Sequence, residues 1–93
     1  MAKGGISPTQ IREMRRRLGV TQTEAALLFD VHFTTYNRWE NGHLPPTGMH
    51  KKMLEALHNK TVGEIVGMLP KYLPTIVTET PEFQAVVEKL RDQ

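Results

Sequence analysis

A repeated helix-start signal constrains this chain more than any other feature. Three segments, Ser7–Gln10, Thr21–Glu24 and Thr61–Glu64, place a hydroxyl residue three positions before Gln or Glu. In such a capping box each side chain accepts a hydrogen bond from the other residue's backbone N–H, which fixes a helix N-terminus. Apolar residues then recur at helical spacing, while the alternation typical of strands is weak. The sequence therefore predicts an all-α fold.

Helix start and stop signals divide the chain into five predicted helices and a C-terminal extension. Gly19 can adopt the left-handed conformation that ends the first helix. Thr47 can cap the fourth helix, and Pro70 ends the fifth. We expect helices at about 8–18, 21–29, 32–40, 48–58 and 61–69. Residues 71–79 contain Pro74 and four consecutive β-branched residues, which favour an extended linker or a short edge strand. Thr80-Pro81-Glu82 then starts a last helix. The predicted organisation is a domain at 1–69 and a linker with a C-terminal helix at 70–93.

The composition argues against an enzyme and against a metal site. The chain has no cysteine, its one serine is used as a helix cap, and its carboxylates are scattered. His43, His50 and His58 do not have the spacing of a metal site. We therefore expect no catalytic residue, no cofactor and no metal. No apolar run reaches the length of a membrane span, so we expect a cytoplasmic protein with no membrane partner.

Charge is distributed unevenly along the chain. Residues 1–60 contain nine Lys or Arg and five Asp or Glu, a balance of +4, whereas residues 61–93 contain three and five, a balance of −2. A basic first part indicates a polyanionic partner.

The second and third predicted helices are short and are joined by a three-residue turn, as in a helix-turn-helix. The residues Thr21-Gln22-x-Glu24-x-Ala26, Val31, Thr35-Tyr36-x-x-Trp39-Glu40-Asn41-Gly42 and Pro46 resemble the Cro/cI-type helix-turn-helix regulators of phages and bacteria. The resemblance covers about residues 8–69. It implies a five-helix, lambda-repressor-like domain that binds double-stranded DNA, with the C-terminal extension ending in a further helix.

The chain departs from the family pattern at three positions. Asp30 stands where glycine is usual in the turn, and aspartate tolerates the left-handed conformation better than most residues. His32 replaces a capping Ser or Thr, so the cap of the third helix should be weaker. Ala25 replaces a usual Leu.

The resemblance implies that the third helix enters the major groove, and helical periodicity supports this. At about 100° per residue, one face of that helix is polar and outward while Tyr36 and Trp39 point inward. We expect base contacts from Phe33, Thr34, Asn37 and Arg38, where Arg38 suits guanine and Asn37 suits adenine.

Other residues are expected to contact phosphate or to hold the fold. The family uses Gln22, at the start of the second helix, for a phosphate contact. The expected phosphate contacts are Gln22, Thr35, Asn41, His43 and Lys51. In the family Arg15 pairs with Glu40 across the first and third helices, whereas His50 is expected to be a core histidine.

The predicted function is that of a sequence-specific transcriptional regulator that binds an inverted repeat as a homodimer. We expect it to be a repressor. An apolar stripe on the last helix, Phe83, Val86, Val87 and Leu90, is predicted to form the dimer contact. The alternative for this stripe is that it folds back on its own subunit. Two other functions stay open: an antitoxin whose C-terminal tail binds a toxin, and an interaction module without DNA binding.

Overall fold

The computed structural model describes residues 5–92, and it is all-α over that part of the chain. Seven α-helices and one 3-10 turn occur there, without a strand. They are α1 (Pro8–Leu18), α2 (Gln22–Leu28), α3 (Phe33–Glu40), α4 (Gly48–Leu57), α5 (Val62–Met68), the 3-10 turn (Leu69–Lys71), α6 (Thr75–Thr78) and α7 (Pro81–Arg91). The predicted all-α class is confirmed. Within the described residues no helix has both the length and the apolar character needed to cross a bilayer.

The helix ends follow the local signals in the sequence. The capping boxes at Ser7, Thr21 and Thr61 are all formed, with both reciprocal hydrogen bonds present. Gly19 ends α1 in the left-handed conformation at φ 72°. Thr47 stands at the N-cap position of α4 as expected, but its side chain makes no capping hydrogen bond.

The segment 71–79 is not extended, and the prediction of a linker or edge strand there is wrong. Pro74 takes an extended conformation before α6, and its carbonyl accepts hydrogen bonds from Val77 N at 2.9 Å and Thr78 N at 3.2 Å. Val77 packs against the core. Because no neighbouring strand pairs with this segment, one helical turn satisfies its backbone better than an unpaired extended chain.

The core is one continuous cluster to which six of the seven helices contribute buried side chains. Its largest fully buried members lie on α1 to α5, in the α2–α3 turn and in the 3-10 turn, whereas α6 contributes no buried residue. Phe29, Tyr36 and Trp39 form an aromatic chain, with ring centroids 6.2 Å and 5.9 Å apart for successive pairs. Helix α2 lies between α3 on one side and α7 on the other.

The apolar stripe of α7 belongs to this same core. Phe83, Val86, Val87 and Leu90 are buried against their own chain, where α7 packs on α2 and α5. Lys89 adds an ion pair to Glu24 of α2 at 2.8 Å. The prediction that these four residues form the dimer contact is therefore wrong, and the fold-back alternative describes the structure. Helical periodicity predicted that the apolar face of α7 is buried, but it does not identify the surface against which this face packs.

Candidate nucleic-acid interface

Helices α2 and α3 are joined by a tight turn that depends on Asp30. Asp30 has φ 55° and is the one non-glycine residue with positive φ among residues 5–92. Its N–H bonds to the Leu27 carbonyl at 3.3 Å, and Val31 N–H bonds to the Ala26 carbonyl at 3.0 Å. His32 occupies the N-cap of α3 without a side-chain hydrogen bond, as its replacement of Ser or Thr predicted.

Helix α3 has one anchored face and one free face. Tyr36, Trp39 and Glu40 are buried. Phe33 is 48% exposed although it is a large apolar residue, and Thr34 and Arg38 are exposed beside it. The predicted inward and outward faces are both observed. A helix held firmly by one face can present the other rigidly to a partner.

The buried end of α3 is held by an ion pair. Arg15 of α1 donates from Nε to Glu40 Oε2 at 2.6 Å and from Nη2 to Glu40 Oε1 at 3.1 Å. Burial tends to raise the pKa of Glu40, but its hydrogen bonds with Arg15 and Gln22 hold that pKa below the ordinary value. Hydrogen bonding to Glu40 in turn raises the pKa of Arg15. The structure thus contains the contact that the family resemblance implied.

A second arginine of α1 fastens the same helix end. Arg12 donates to the backbone carbonyl of Glu40 and, at 3.2 Å, to Thr9 Oγ1. Sequence reasoning missed this residue. The sequence feature that could have identified Arg12 is its three-residue spacing from Arg15, which places both side chains on one face of α1.

A chain of side-chain amides leads from the buried pair to the surface of α3. Gln22 Nε2 donates to Glu40 Oε1 at 2.8 Å. Asn37 Nδ2 donates to Gln22 Oε1 at 3.2 Å, and Asn41 Nδ2 donates to Asn37 Oδ1 at 3.0 Å. We call Gln22, Asn37 and Asn41 the amide chain. Each of its amide nitrogens keeps a second N–H.

The remaining expected phosphate residues lie at or near the surface. Asn41, His43 and Lys51 are exposed, and Thr35 is half-buried. Lys51 lies in the first turns of α4, whose first turn has no acidic side chain. The positive end of the α4 dipole and this lysine therefore favour the same anionic partner.

His50 is half-buried and lies outside the core cluster, so the expectation of a core histidine is met only in that its contacts are structural. Its Nε2 lies 3.2 Å from the carbonyl oxygen of Asp30, and its ring centroid is 5.3 Å from that of Trp39. It therefore links α4 to the α2–α3 turn. In the part of the chain that the structure describes, no three His, Asp or Glu side chains are grouped so that they could hold a metal ion.

Comparison with known proteins gives one match. A family model described as helix-turn-helix matches residues 11–65, which is more than half of the chain and includes α1 to α4 almost entirely. No curated protein and no solved structure matches the chain significantly.

Proposed function

The chain belongs to the Cro/cI-type helix-turn-helix family of DNA-binding transcriptional regulators, and we propose that it is a repressor that binds an inverted-repeat operator as a homodimer. The observation that carries this proposal is the free face of α3. On this face Phe33, Thr34 and Arg38 are exposed and Asn37 is half-buried. The opposite face is fixed by Tyr36, Trp39 and the Arg15–Glu40 pair.

Base recognition is proposed for Phe33, Thr34, Asn37 and Arg38. The Arg38 guanidinium is exposed and can donate two parallel hydrogen bonds to guanine O6 and N7. The ring of Phe33 or the methyl group of Thr34 can pack on a thymine methyl. Asn37 is already bonded on both sides, yet its amide keeps one N–H and one carbonyl lone pair, which is the pair of groups that adenine requires.

Contacts to the DNA phosphate backbone are proposed for residues near both ends of α3 and near the starts of α2 and α4. Gln22 is the first residue of α2, where free backbone N–H groups and the helix dipole favour a phosphate. The Gln22 side chain is held by hydrogen bonds with Glu40 and Asn37. A phosphate would therefore accept hydrogen bonds from the second N–H of the Gln22 amide and from backbone N–H groups of α2. Thr35, Asn41, His43 and Lys51 complete the proposed set.

Two-fold symmetry is proposed because an inverted repeat doubles the number of base contacts that one short helix can make. A dimer of this kind sets two α3 helices about 34 Å apart, one turn of DNA. The contact between subunits must lie outside the apolar side of α7, since that side is buried. An antitoxin role would likewise need another surface of the C-terminal segment for the toxin.

Selection of bound duplexes from a random DNA pool tests the proposal. We expect an inverted repeat with half-site centres about 10 base pairs apart, or a multiple of that turn, and a two-to-one complex in sedimentation. The logarithm of the binding constant should fall with the logarithm of salt concentration with a slope beyond about −3. Enrichment of no sequence, together with a flat salt response, would favour an interaction module instead.

A further inference from the structure

An open groove runs between the α2–α3 hairpin and the C-terminal helices. It has a volume of about 700 Å³. Its apolar lining comes from three elements and the turn, namely Ala26 and Leu27 of α2, Val31 of the turn, Ile76 and Val77 of α6 and Phe83 of α7. Phe83 is buried, so the floor of the groove is part of the core.

The rim of this groove exposes large apolar side chains. Ile76 is 79% exposed and Leu27 is 38% exposed, although both belong to residue types that are usually buried. They stand on different helices, α6 and α2, and so border the groove from two sides. An apolar surface of this kind bordered by polar groups is typical of an interaction site.

The charged residues of the groove have one sign. Asp30, on the turn, and Glu82, on α7, line it, and neither lysine nor arginine does so. Both carboxylates are exposed. Charge complementarity therefore selects a partner surface that combines apolar side chains with Lys or Arg.

This pattern disfavours a second copy of the chain as the occupant. In a two-fold contact the same patch faces itself, so Asp30 and Glu82 would find no lysine or arginine of the groove across the interface. Like charges directly opposed in an interface are unfavourable. We propose that the groove binds an amphipathic helix of a different protein, apolar on one face and flanked by basic residues.

The groove adjoins the helix-turn-helix. Asp30, Val31 and His32 line the groove and also form the turn that sets α3 on α2. The groove is lined by none of the proposed base-reading residues Phe33, Thr34, Asn37 and Arg38, although His32 directly precedes Phe33. This inference concerns the groove alone and does not depend on the operator or on the dimer.

Peptide binding to the full chain tests the proposal. The probes are fluorescein-labelled synthetic helices of about four turns, made in pairs with identical leucine positions and either Lys or Glu at all polar positions. A small panel of pairs varies the leucine spacing. We expect at least one Lys peptide to bind with methyl shifts at Leu27 and Ile76 in NMR spectra, and its Glu counterpart to bind about tenfold more weakly.

Variants of exposed residues locate the binding. Ile76→Ser should lower the affinity for the Lys peptide by about tenfold, since it removes one apolar side chain from the contact. Asp30→Asn, which keeps a residue that tolerates positive φ, and Glu82→Gln should reduce the preference for Lys over Glu. Met49→Ser is the matched control, because Met49 is 58% exposed but lies on α4, outside the groove. Circular dichroism verifies that each variant is folded.

Three results would overturn the proposal. The first is that no Lys peptide of the panel binds. The second is that Lys and Glu peptides bind equally and Ile76→Ser leaves both unchanged. The third is that the chain self-associates in sedimentation and Ile76→Ser abolishes this, which would make a second copy the occupant.

Discussion

The side-chain oxygen of Gln22 accepts a hydrogen bond from the amide of Asn37 at 3.2 Å, which joins the first residue of α2 to the middle of α3. Gln22 also donates to Glu40, so one residue touches both the buried ion pair and the proposed base-reading face. In this arrangement a residue expected only to contact phosphate also positions the amide of Asn37, for which base reading is proposed.

Gln22→Ala tests this double role. We expect weaker binding on every sequence, by about 0.5–1.5 kcal/mol for a lost hydrogen bond, and in addition a changed preference at one base pair. Thr23→Ala is the control, because Thr23 is the exposed neighbour on the same helix. Affinities for a set of single-base operator variants measure both effects. An equal loss on all variants would show that Gln22 contacts phosphate only.

Arg38→Ala should remove a direct base contact. The expected cost is about 1–3 kcal/mol on the preferred site, with relaxed preference at a single position. Arg16→Ala removes a charge of the same sign from the exposed side of α1 and should not relax any position. Should both variants lose affinity alike on every sequence, α3 would not be the reading helix.

The Arg15–Glu40 pair should be strongly coupled in stability. Arg15→Met leaves the Glu40 carboxylate, which is 1% exposed, without its main partner, at an expected cost of about 3–5 kcal/mol. Arg15→Met with Glu40→Met should cost less than the two single changes added together. Urea unfolding of the four proteins of this cycle measures the coupling, and additive losses would argue against a shared contact.

Acid should destabilise the domain partly through Glu40. The pKa of Glu40 is lowered in the folded chain, so its contribution to stability is complete above the unfolded value of about 4.3 and is lost as pH falls through the folded value. The free energy of unfolding should therefore decline below about pH 4.5. Glu40→Gln should flatten this decline, whereas Glu55→Gln, at an exposed site on α4, should preserve it. Equal slopes in the two variants would contradict the assignment.

Helix α7 should stabilise the fold of a single subunit. Phe83→Ala creates a cavity in the core, and we expect it to cost about 3–5 kcal/mol of unfolding free energy at any protein concentration. Ile76→Ala, at an exposed position of α6, should cost little. If Phe83→Ala lowered stability only at low concentration, the residue would act between subunits after all.

The sequence predicted correctly those parts of the structure that depend on residues close together in the chain. Ser7, Thr21 and Thr61 act within three residues of themselves. The boxes at Ser7 and Thr21 formed as predicted, and the predicted helix start at Thr61 is also a capping box. The faces of α3 also followed from periodicity, since Tyr36 and Trp39 had to be covered.

The missed features depend on contacts between distant residues. Gln22 meets Glu40 across 18 positions, and Lys89 meets Glu24 across 65. Periodicity identified the apolar side of α7 but carries no information on whether α2 of the same chain or a second copy covers it. At 71–79 the β-branched side chains favoured an extended segment, but no strand was present to pair with it.

The position of α7 also bears on how the protein is made. Synthesis proceeds from the N-terminus, and a domain folds as a unit once its parts have emerged from the ribosome. Helix α2 packs against α7, whose residues are translated about 60 residues after it. A nascent chain that already contains the whole of α1 to α5 therefore still exposes one side of α2 and α5. Completion of this fold therefore waits for the translation of α7, and chains interrupted before residue 83 should be substrates for proteolysis instead of competitors for the proposed operator.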